Sequence, residues 1–262
     1  MKILKFGGKS LSNGDGINKV VAIIAGKVNN GEQIAVVVSA RGSATDELED
    51  ILALASKNGN YKPLFEDFKS YQQDVYSDVN LSEEFNKLEK LFEGVSLIGD
   101  YSVKIKDEVL SKGELISARL LTAILIKKGI NAHFADTREL IKTDSNYGDA
   151  QPVEQLSKKN VIAYFKEHNG STVNVVTGFI GSNNKNEATT LGRNGSNYTA
   201  SLLANYLDAT ELQNYTHVDG IYTANPDLFW MQKKLIICHL MKRMSWRILE
   251  RQFCMPRLLF LY

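Results

Sequence analysis

The chain has 262 residues, of which 44% are hydrophobic, and its formal net charge at pH 7 is +1. A chain of this kind can bury the core of one large α/β domain or of two small ones. It contains no apolar run near the ~20 residues that a membrane span needs and no charged-then-apolar leader. We therefore expect a cytoplasmic protein whose partners are neither membranes nor nucleic acids.

The first stretch that predicts a binding site is the N-terminal turn. A short apolar run that reads as a strand ends at Gly7 and Gly8, before a helix predicted over residues 17–28. Two adjacent residues without Cβ let backbone N–H groups approach an anion, and Lys5 and Lys9 flank the turn. These features indicate a phosphate ligand. The turn matches neither the P-loop nor the dinucleotide fingerprint, and a plain strand–helix turn fits the same residues.

Strands and helices alternate along the rest of the chain. Apolar runs predict strands over residues 33–39, 132–135, 161–165, 173–177 and 211–216. Helical periodicity predicts helices over 46–56, within 63–92, over 104–128 with an interruption at Gly113 and a C-cap at Gly129, and over 199–207. Residues 137–143 predict a helical or irregular turn, and 183–187 a hairpin-like tip. This order predicts an α/β fold with a mainly parallel central sheet and helices on both faces, whose ligands bind beyond the carboxyl ends of the strands.

Several polar turns form a specific pattern when they are read together. They are residues 5–10 (KFGGKS), 38–45 (VSARGSAT), Gly113 with Glu114, 177–181 (TGFIG), 190–200 (TLGRNGSNYTA) and 218–224 (VDGIYTA). In this order they resemble the aspartokinases of the amino acid kinase superfamily, and in detail the N-terminal kinase part of bifunctional aspartokinase/homoserine dehydrogenase. The resemblance runs from Lys2 to about Leu228 and implies the three-layer sandwich of that superfamily.

The resemblance implies an enzyme that transfers the γ-phosphoryl group of ATP to the β-carboxylate of L-aspartate, with Mg²⁺, as the first step of the aspartate-family amino acid pathway. It also implies a homo-oligomer for the full-length parent. A carboxylate is already a nucleophile at neutral pH, so such an enzyme acts by positioning two anions and screening their repulsion. The sequence shows no cluster of metal ligands, since Cys238 and Cys254 have no His or Cys partner at ligand spacing.

Carried over residue by residue, the resemblance implies two groups of binding residues. The ATP group has Lys5 as the catalytic charge on the phosphates and consists of Lys5, Gly7, Gly8, Lys9, Ser10, Thr216, His217, Asp219 and Tyr222. The aspartate group has Glu114 on the α-ammonium group and consists of Ser39, Thr45, Glu114, Phe179, Arg193 and Ser196. The fork-shaped guanidinium of Arg193 can grip a substrate carboxylate through two hydrogen bonds.

The chain departs from the family pattern at several of these positions. Lys9 stands where the family has Thr, His217 where it has Asp, and Asp227 where it has Arg. Asn197, the second residue assigned to catalysis, replaces an Asp that helps to orient the catalytic lysine. Two alternatives to an active aspartate kinase therefore stay open. One is another superfamily member, an acetylglutamate or uridylate kinase, and the other is a catalytically impaired remnant that binds nucleotide or aspartate.

The composition changes abruptly near Leu228. Both Cys, both Trp and every internal Met follow it, all 19 glycines precede it, and the last stretch carries seven basic residues against the single acid Glu250. A one-base shift in the back-translated stretch that contains residues 240–257 permits SYEEDELANFGATVLHAKT, which follows the family's own continuation. We therefore predict a catalytic domain over residues 1–228 and a frameshifted tail over 229–262. A basic, Trp-containing amphipathic tail for a membrane surface or a partner is the alternative.

Overall fold

A five-stranded parallel β-sheet forms the centre of the protein. The computed structural model describes residues 1–76, 79–168 and 173–215, and the backbone of two short strands beyond them. In chain order the strands are β1 (Lys2–Phe6), β2 (Ile34–Val38), β3 (Ala132–Ala135), β4 (Val173–Thr177), β5 (Ile180–Ser182), β6 (Ala188–Thr190), β7 (Glu211–Tyr215), β8 (Ile221–Tyr222) and β9 (Lys234–Leu235). The central sheet has the order β3-β4-β2-β1-β7, while β5 pairs with β6 and β8 with β9 as antiparallel ribbons.

The composition of the inner strands explains why the sheet is parallel and covered on both faces. All five residues of β2, with the sequence IAVVV, are buried, and so are all five residues of β4. A strand that is apolar on both sides needs a helix layer on each face, and parallel sheets provide this arrangement. All four strand pairs of the sheet are parallel. The predicted parallel sheet is therefore confirmed.

Helices cover both faces of this sheet. They are α1 (Gly14–Asn29), α2 (Ala44–Ser56), α3 (Lys62–Gln73), α4 (Ser82–Ile98), α5 (Val103–Lys127), α6 (Thr137–Leu140), α7 (Glu154–Glu167) and α8 (Gly195–Tyr206). One face packs against α1 and the second half of α5, and the opposite face packs against α6, α7 and α8. Within the described residues, none of these helices has the length and apolar character to cross a membrane.

Three further helices build a core of their own beside the sheet. α2, α3 and α4 pack against the first half of α5 around the buried aromatic side chains of Phe65, Phe68, Phe85 and Phe92. The helices predicted within residues 63–92 are therefore present, and their apolar faces form core contacts. α5 belongs to this core through its first half and to the sheet core through its second half, so it joins the two.

The structure corrects three of the predictions, and the first two concern residues 161–165 and 199–207. Residues 161–165 are not a strand but the last part of α7. Ser157, Val161 and Phe165 are spaced by four residues and are the buried residues of that helix, so the apolar run has a helical period once the preceding turn is included. The helix predicted over 199–207 begins a turn earlier, directly after Asn194, which adopts a left-handed φ of 61°.

Gly113 does not interrupt α5, which continues from Val103 to Lys127. Its role is close packing, because a Cβ built on Gly113 would lie 2.9 Å from the Cβ of Ala40, a residue in the turn after β2. Gly129, by contrast, has a φ of 79° just beyond the helix and fulfils the predicted C-cap role.

We expect Gly113→Ala to destabilise the fold, although alanine is the better helix former by about 1 kcal/mol. The added methyl group meets Ala40, so either α5 or the turn after β2 must shift. Gly94→Ala in α4 is the matched control, since a Cβ there meets nothing within 4 Å. Urea unfolding should give a lower free energy of unfolding for Gly113→Ala and an equal or higher one for Gly94→Ala. A stabilising Gly113→Ala substitution would contradict the close-packing role.

Candidate active site

The turns that follow β1 and β2 lie against each other at the carboxyl edge of the sheet. The N–H of Gly42 donates a hydrogen bond of 3.0 Å to the carbonyl oxygen of Gly8. A Cβ built on Gly8 would lie 2.6 Å from the carbonyl oxygen of Ala40 and 2.8 Å from that of Gly42. Only a residue without a side chain fits there, so Gly8 has a packing reason in addition to the predicted approach to an anion.

Lys5 places a buried positive charge beneath the first of these turns. Lys5 is the penultimate residue of β1 and is 4% exposed. In the sheet it aligns with Val37 of β2 and Asn214 of β7. The Lys5 Nζ atom lies 3.5 Å from the position that a Cβ on Gly7 would occupy. The ammonium group therefore lies against the glycine turn.

Glu114 places a buried carboxyl group beneath the second turn. It is 3% exposed on α5, and its Oε1 accepts a hydrogen bond of 3.2 Å from the N–H of Ala40. Its Oε2 is buried and accepts no hydrogen bond from the described residues. Burial raises the pKa of Glu114 to about 8, against the opposing effects of the backbone N–H groups of Ala40 and of Glu114 itself and of the charge of Lys5. A cationic group that reached Oε2 would stabilise the ionised form.

The turn after β4 forms a third wall of the same edge. The N–H of Gly178 donates to the carbonyl oxygen of Val38 at 2.8 Å, and a Cβ on Gly178 would lie 2.6 Å from the Cβ of Ser196. Phe179 has a φ of 68°, an unusual value for a side chain of this size. Its N–H donates to Thr199 Oγ1 at 3.0 Å, and this bond helps to hold the backbone in that conformation.

Helix α8 and the segment just before it carry three of the predicted site residues. Ser196 is 8% exposed at the start of α8, whereas Arg193, three residues earlier, is exposed. Asn197 is half-buried, and its Oδ1 accepts a hydrogen bond of 3.5 Å from the Nδ2 of Asn214, the strand neighbour of Lys5. Asn197 is therefore connected to the strand beside the buried lysine.

Some of the remaining predicted residues lie at the site edge, and the others lie beyond the residues that the structure describes. Lys9 is exposed in the short 3₁₀ turn Gly8–Leu11. Three other predicted site residues at this edge are half-buried, namely Ser10, Ser39 and Thr45. Thr216, His217 and Asp219 lie outside the described residues, as does the side chain of Tyr222. The described residues contain no group of three or more His, Cys, Asp or Glu side chains that could hold a metal ion.

Sequence reasoning missed Asp107, which connects α5 to the β5–β6 hairpin. Its buried carboxylate accepts hydrogen bonds from the Gly148 N–H at 2.9 Å, the Thr190 N–H at 2.8 Å and the Thr190 hydroxyl at 2.9 Å. Burial raises the pKa of Asp107, and these hydrogen bonds oppose the rise. The signal was its distance of seven residues from Glu114, which puts both carboxyl groups on one side of the helix.

The fold and the arrangement of these turns are those of one known family. A sequence model described as the amino acid kinase family matches residues 1–236, so the chain belongs to the amino acid kinase family. This result and the relatives below confirm both the predicted fold class and the resemblance to aspartokinases.

Among the relatives are two bacterial proteins and one solved structure. The chain is 32% identical over 241 residues to the bifunctional aspartokinase/homoserine dehydrogenase of Buchnera aphidicola, covering 86% of this chain and 29% of the relative. It is 29% identical over 240 residues to the lysine-sensitive aspartokinase 3 of Escherichia coli, covering 89% and 52%. The crystal structure of E. coli aspartokinase III in complex with aspartate and ADP superposes with a TM-score of 0.80 at 27% identity, covering 90% and 53%. The chain spans about half or less of the length of these relatives.

Glu114→Gln should stabilise the fold at high pH. The pKa of Glu114 is raised from an ordinary 4.5 to about 8, so the folded state favours the protonated carboxyl group, and the wild type loses stability as pH rises through that window. Glutamine keeps an acceptor for the Ala40 N–H and carries no charge. Denaturant unfolding should give the variant an advantage on the order of 1–3 kcal/mol at pH 9 and little advantage at pH 4.

Glu93→Gln, at an exposed position of α4, is the control and should show no gain that grows with pH. An equal effect of Glu114→Gln at pH 4 and pH 9 would contradict a buried, weakly acidic Glu114.

Proposed function

We propose that this chain transfers the γ-phosphoryl group of ATP to the β-carboxylate of L-aspartate and releases ADP and 4-phospho-L-aspartate. The observation that carries the proposal is the pairing of a buried cation and a buried carboxyl group under two touching turns. Lys5 lies beneath the glycine turn, and Glu114, with one open acceptor atom, lies beneath the neighbouring turn. The solved structure of E. coli aspartokinase III in complex with aspartate and ADP supports this choice of substrates.

The turn after β1 would hold the phosphates. Lys5 supplies positive charge, and Gly7 and Gly8 let the backbone come close to phosphoryl oxygens. The N–H of Ser10 already donates to the carbonyl oxygen of Gly7 at 2.9 Å, so Ser10 would contribute its hydroxyl group. Lys9 would add a second positive charge from the exposed side of the turn.

The turn after β2 and the start of α8 would hold aspartate. The open Oε2 of Glu114 suits the α-ammonium group of an amino acid, and the exposed guanidinium of Arg193 suits a carboxylate. The other residues assigned to this pocket are Ser39, Thr45, Phe179 and Ser196. Acetylglutamate has its amino group blocked and uridylate has none, so a buried carboxyl group with an open acceptor favours aspartate over either substrate.

The reaction is an in-line displacement. One oxygen of the aspartate β-carboxylate forms a bond to the γ-phosphorus while the bond from that phosphorus to the β,γ-bridging oxygen breaks, and the electron pair leaves with ADP. The nucleophile carries no proton, so no base is required. Lys5 screens the repulsion between the carboxylate and the triphosphate, and Asn197 acts on Lys5 from the neighbouring helix through Asn214.

Mg²⁺ would enter with ATP. It prefers oxygen ligands, several of them water or phosphate, and is commonly held by phosphates with one or two carboxylates rather than by a protein cage. Thr216, His217, Asp219 and Tyr222 are proposed for the nucleoside side.

A coupled ADP-release assay with L-aspartate and ATP tests the activity. We expect turnover that depends on aspartate, and a loss of at least about 100-fold in kcat for Lys5→Met, because a preorganised charge is removed from the transition state. Calorimetric titration with aspartate and with ATP is measured in parallel. Binding of both ligands without turnover would support instead the impaired remnant, which Asn197 and Asp227 favour.

Lys9→Thr tests the second positive charge. It should raise the KM for ATP by about 3- to 10-fold with little effect on the KM for aspartate, because Lys9 lies in the phosphate turn. Steady-state kinetics with each substrate varied separately measures the two effects. An unchanged KM for ATP would remove Lys9 from the proposal.

We further propose that residues 1–228 are the catalytic domain and that 229–262 are a frameshifted tail. The abrupt change of composition and the family pattern recovered in the shifted frame support this division. Resequencing the coding DNA from independent clones tests it. An uninterrupted reading of the present frame in all clones would support a genuine basic tail instead.

A further inference from the structure

Arg41 is a fully buried arginine between the two turns of the candidate active site. It is 0% exposed and belongs to the turn after β2, next to Ala40, whose N–H bonds to Glu114. Burying a guanidinium group is costly unless all its donors are satisfied, so its surroundings show what it is there to hold.

Its guanidinium group reaches the far end of the phosphate turn. Arg41 Nε donates to the carbonyl oxygen of Leu11 at 2.9 Å, and one terminal nitrogen donates to that of Ser12 at 3.0 Å. These two residues directly follow Lys9 and Ser10. The backbone of Arg41 belongs to the turn after β2, while its side chain bonds to the turn after β1. Arg41 therefore connects the two turns of the site.

The end of α3 holds the guanidinium group in place from the other side. Arg41 donates to the carbonyl oxygen of Tyr71, lies 4.0 Å above the centre of the Tyr71 ring and forms an ion pair of 2.8 Å with Asp74. The Tyr71 hydroxyl also donates to the Ser12 carbonyl oxygen at 2.6 Å. The phosphate turn is thus tied to both Arg41 and Tyr71.

We propose that Arg41 is a positioning residue that holds the turn of residues 7–12 in the conformation that accepts the γ-phosphate. This inference rests on the proposed function, which supplies the identity of the ligand, the γ-phosphate of ATP. Arg41 itself faces Leu11, Ser12 and α3, so it acts through the turn and touches no substrate. A turn that is ordered before the nucleotide arrives loses less entropy on binding. Removal of the Arg41 side chain should therefore weaken most the binding of the nucleotide whose γ-phosphate reaches this turn.

The test compares Arg41→Met, Arg41→Lys and Arg119→Met in the full chain. Arg119 is a matched control because it also forms an ion pair, with Glu84 at 3.0 Å, and lies over the ring of Phe134 at 4.7 Å, on the same fold but outside the two turns. Calorimetry measures the affinities for ADP and for a non-hydrolysable imido analogue of ATP, and thermal unfolding measures stability.

For Arg41→Met we expect the affinity for the ATP analogue to fall by at least about tenfold and the affinity for ADP by less than about threefold. Arg41→Lys should give a smaller loss, because one ammonium group cannot replace the fork that reaches Leu11 and Ser12. Arg119→Met can lower stability but should leave the ratio of the two affinities unchanged. An equal loss for both nucleotides in Arg41→Met would overturn the positioning role.

Hydrogen exchange separates this inference from the proposed function, because it requires no ligand. Peptides that cover residues 7–12 should exchange faster in Arg41→Met than in the wild type and at the wild-type rate in Arg119→Met. Unchanged exchange in Arg41→Met would overturn the inference even if the protein is an active kinase. Faster exchange in a protein that binds neither nucleotide would support the tether and refute the proposed ligand.

Discussion

The contact between Gly8 and the turn after β2 is the constraint on which the rest of the candidate site depends. The Gly42 N–H bonds to the Gly8 carbonyl oxygen, and no Cβ fits on Gly8. Gly42 has a φ of 59°, and a Cβ there would lie 2.3 Å from the Tyr71 hydroxyl oxygen. Two neighbouring parallel strands always bring their turns to one edge, but these glycines bring the turns into direct contact. Ligands held by each turn would then lie close enough to react.

Helix α5 connects this contact to the other parts of the site. Gly113 packs against Ala40, Glu114 bonds to the N–H of the same residue, and Asp107, two turns earlier, holds Thr190 and Gly148. The strand that ends at Thr190 leads directly to the segment that carries Arg193. One uninterrupted helix therefore sets the distance between the first two turns and the segment before α8. The close approach of Ala40 to this helix explains why a glycine stands in its middle despite the low helix propensity of glycine.

Ionisation of the buried Glu114 opposes the stability of the protein without a ligand. Burial raises the pKa of Glu114 because the carboxyl group has lost its hydration, and the hydrogen bond from the Ala40 N–H to Oε1 offsets only part of this effect. Groups whose ionisation is disturbed in this way are common at functional sites, because a ligand supplies the missing partner. In the proposed complex, the ammonium group of aspartate pairs with the open Oε2 of Glu114, and the phosphates of ATP lie beside Lys5. Asp107 differs, since its three hydrogen bonds are already made within the protein.

The sequence by itself determined the alternation of strands and helices, the parallel sheet and the turns on which the candidate site is built, because apolar runs such as 34–38 and the glycines at strand ends are local signals. It failed at residues 161–165, where a short apolar run fits a strand and a helix equally until Ser157 is included. Tertiary structure alone decided the role of Gly113, whose requirement comes from Ala40, 73 residues away in the chain. It also decided that Arg41, an ordinary charged residue in a polar turn, is fully buried, since its partners Leu11, Ser12, Tyr71 and Asp74 come from distant segments. Such contacts depend on how elements pack, which no local pattern of residues encodes.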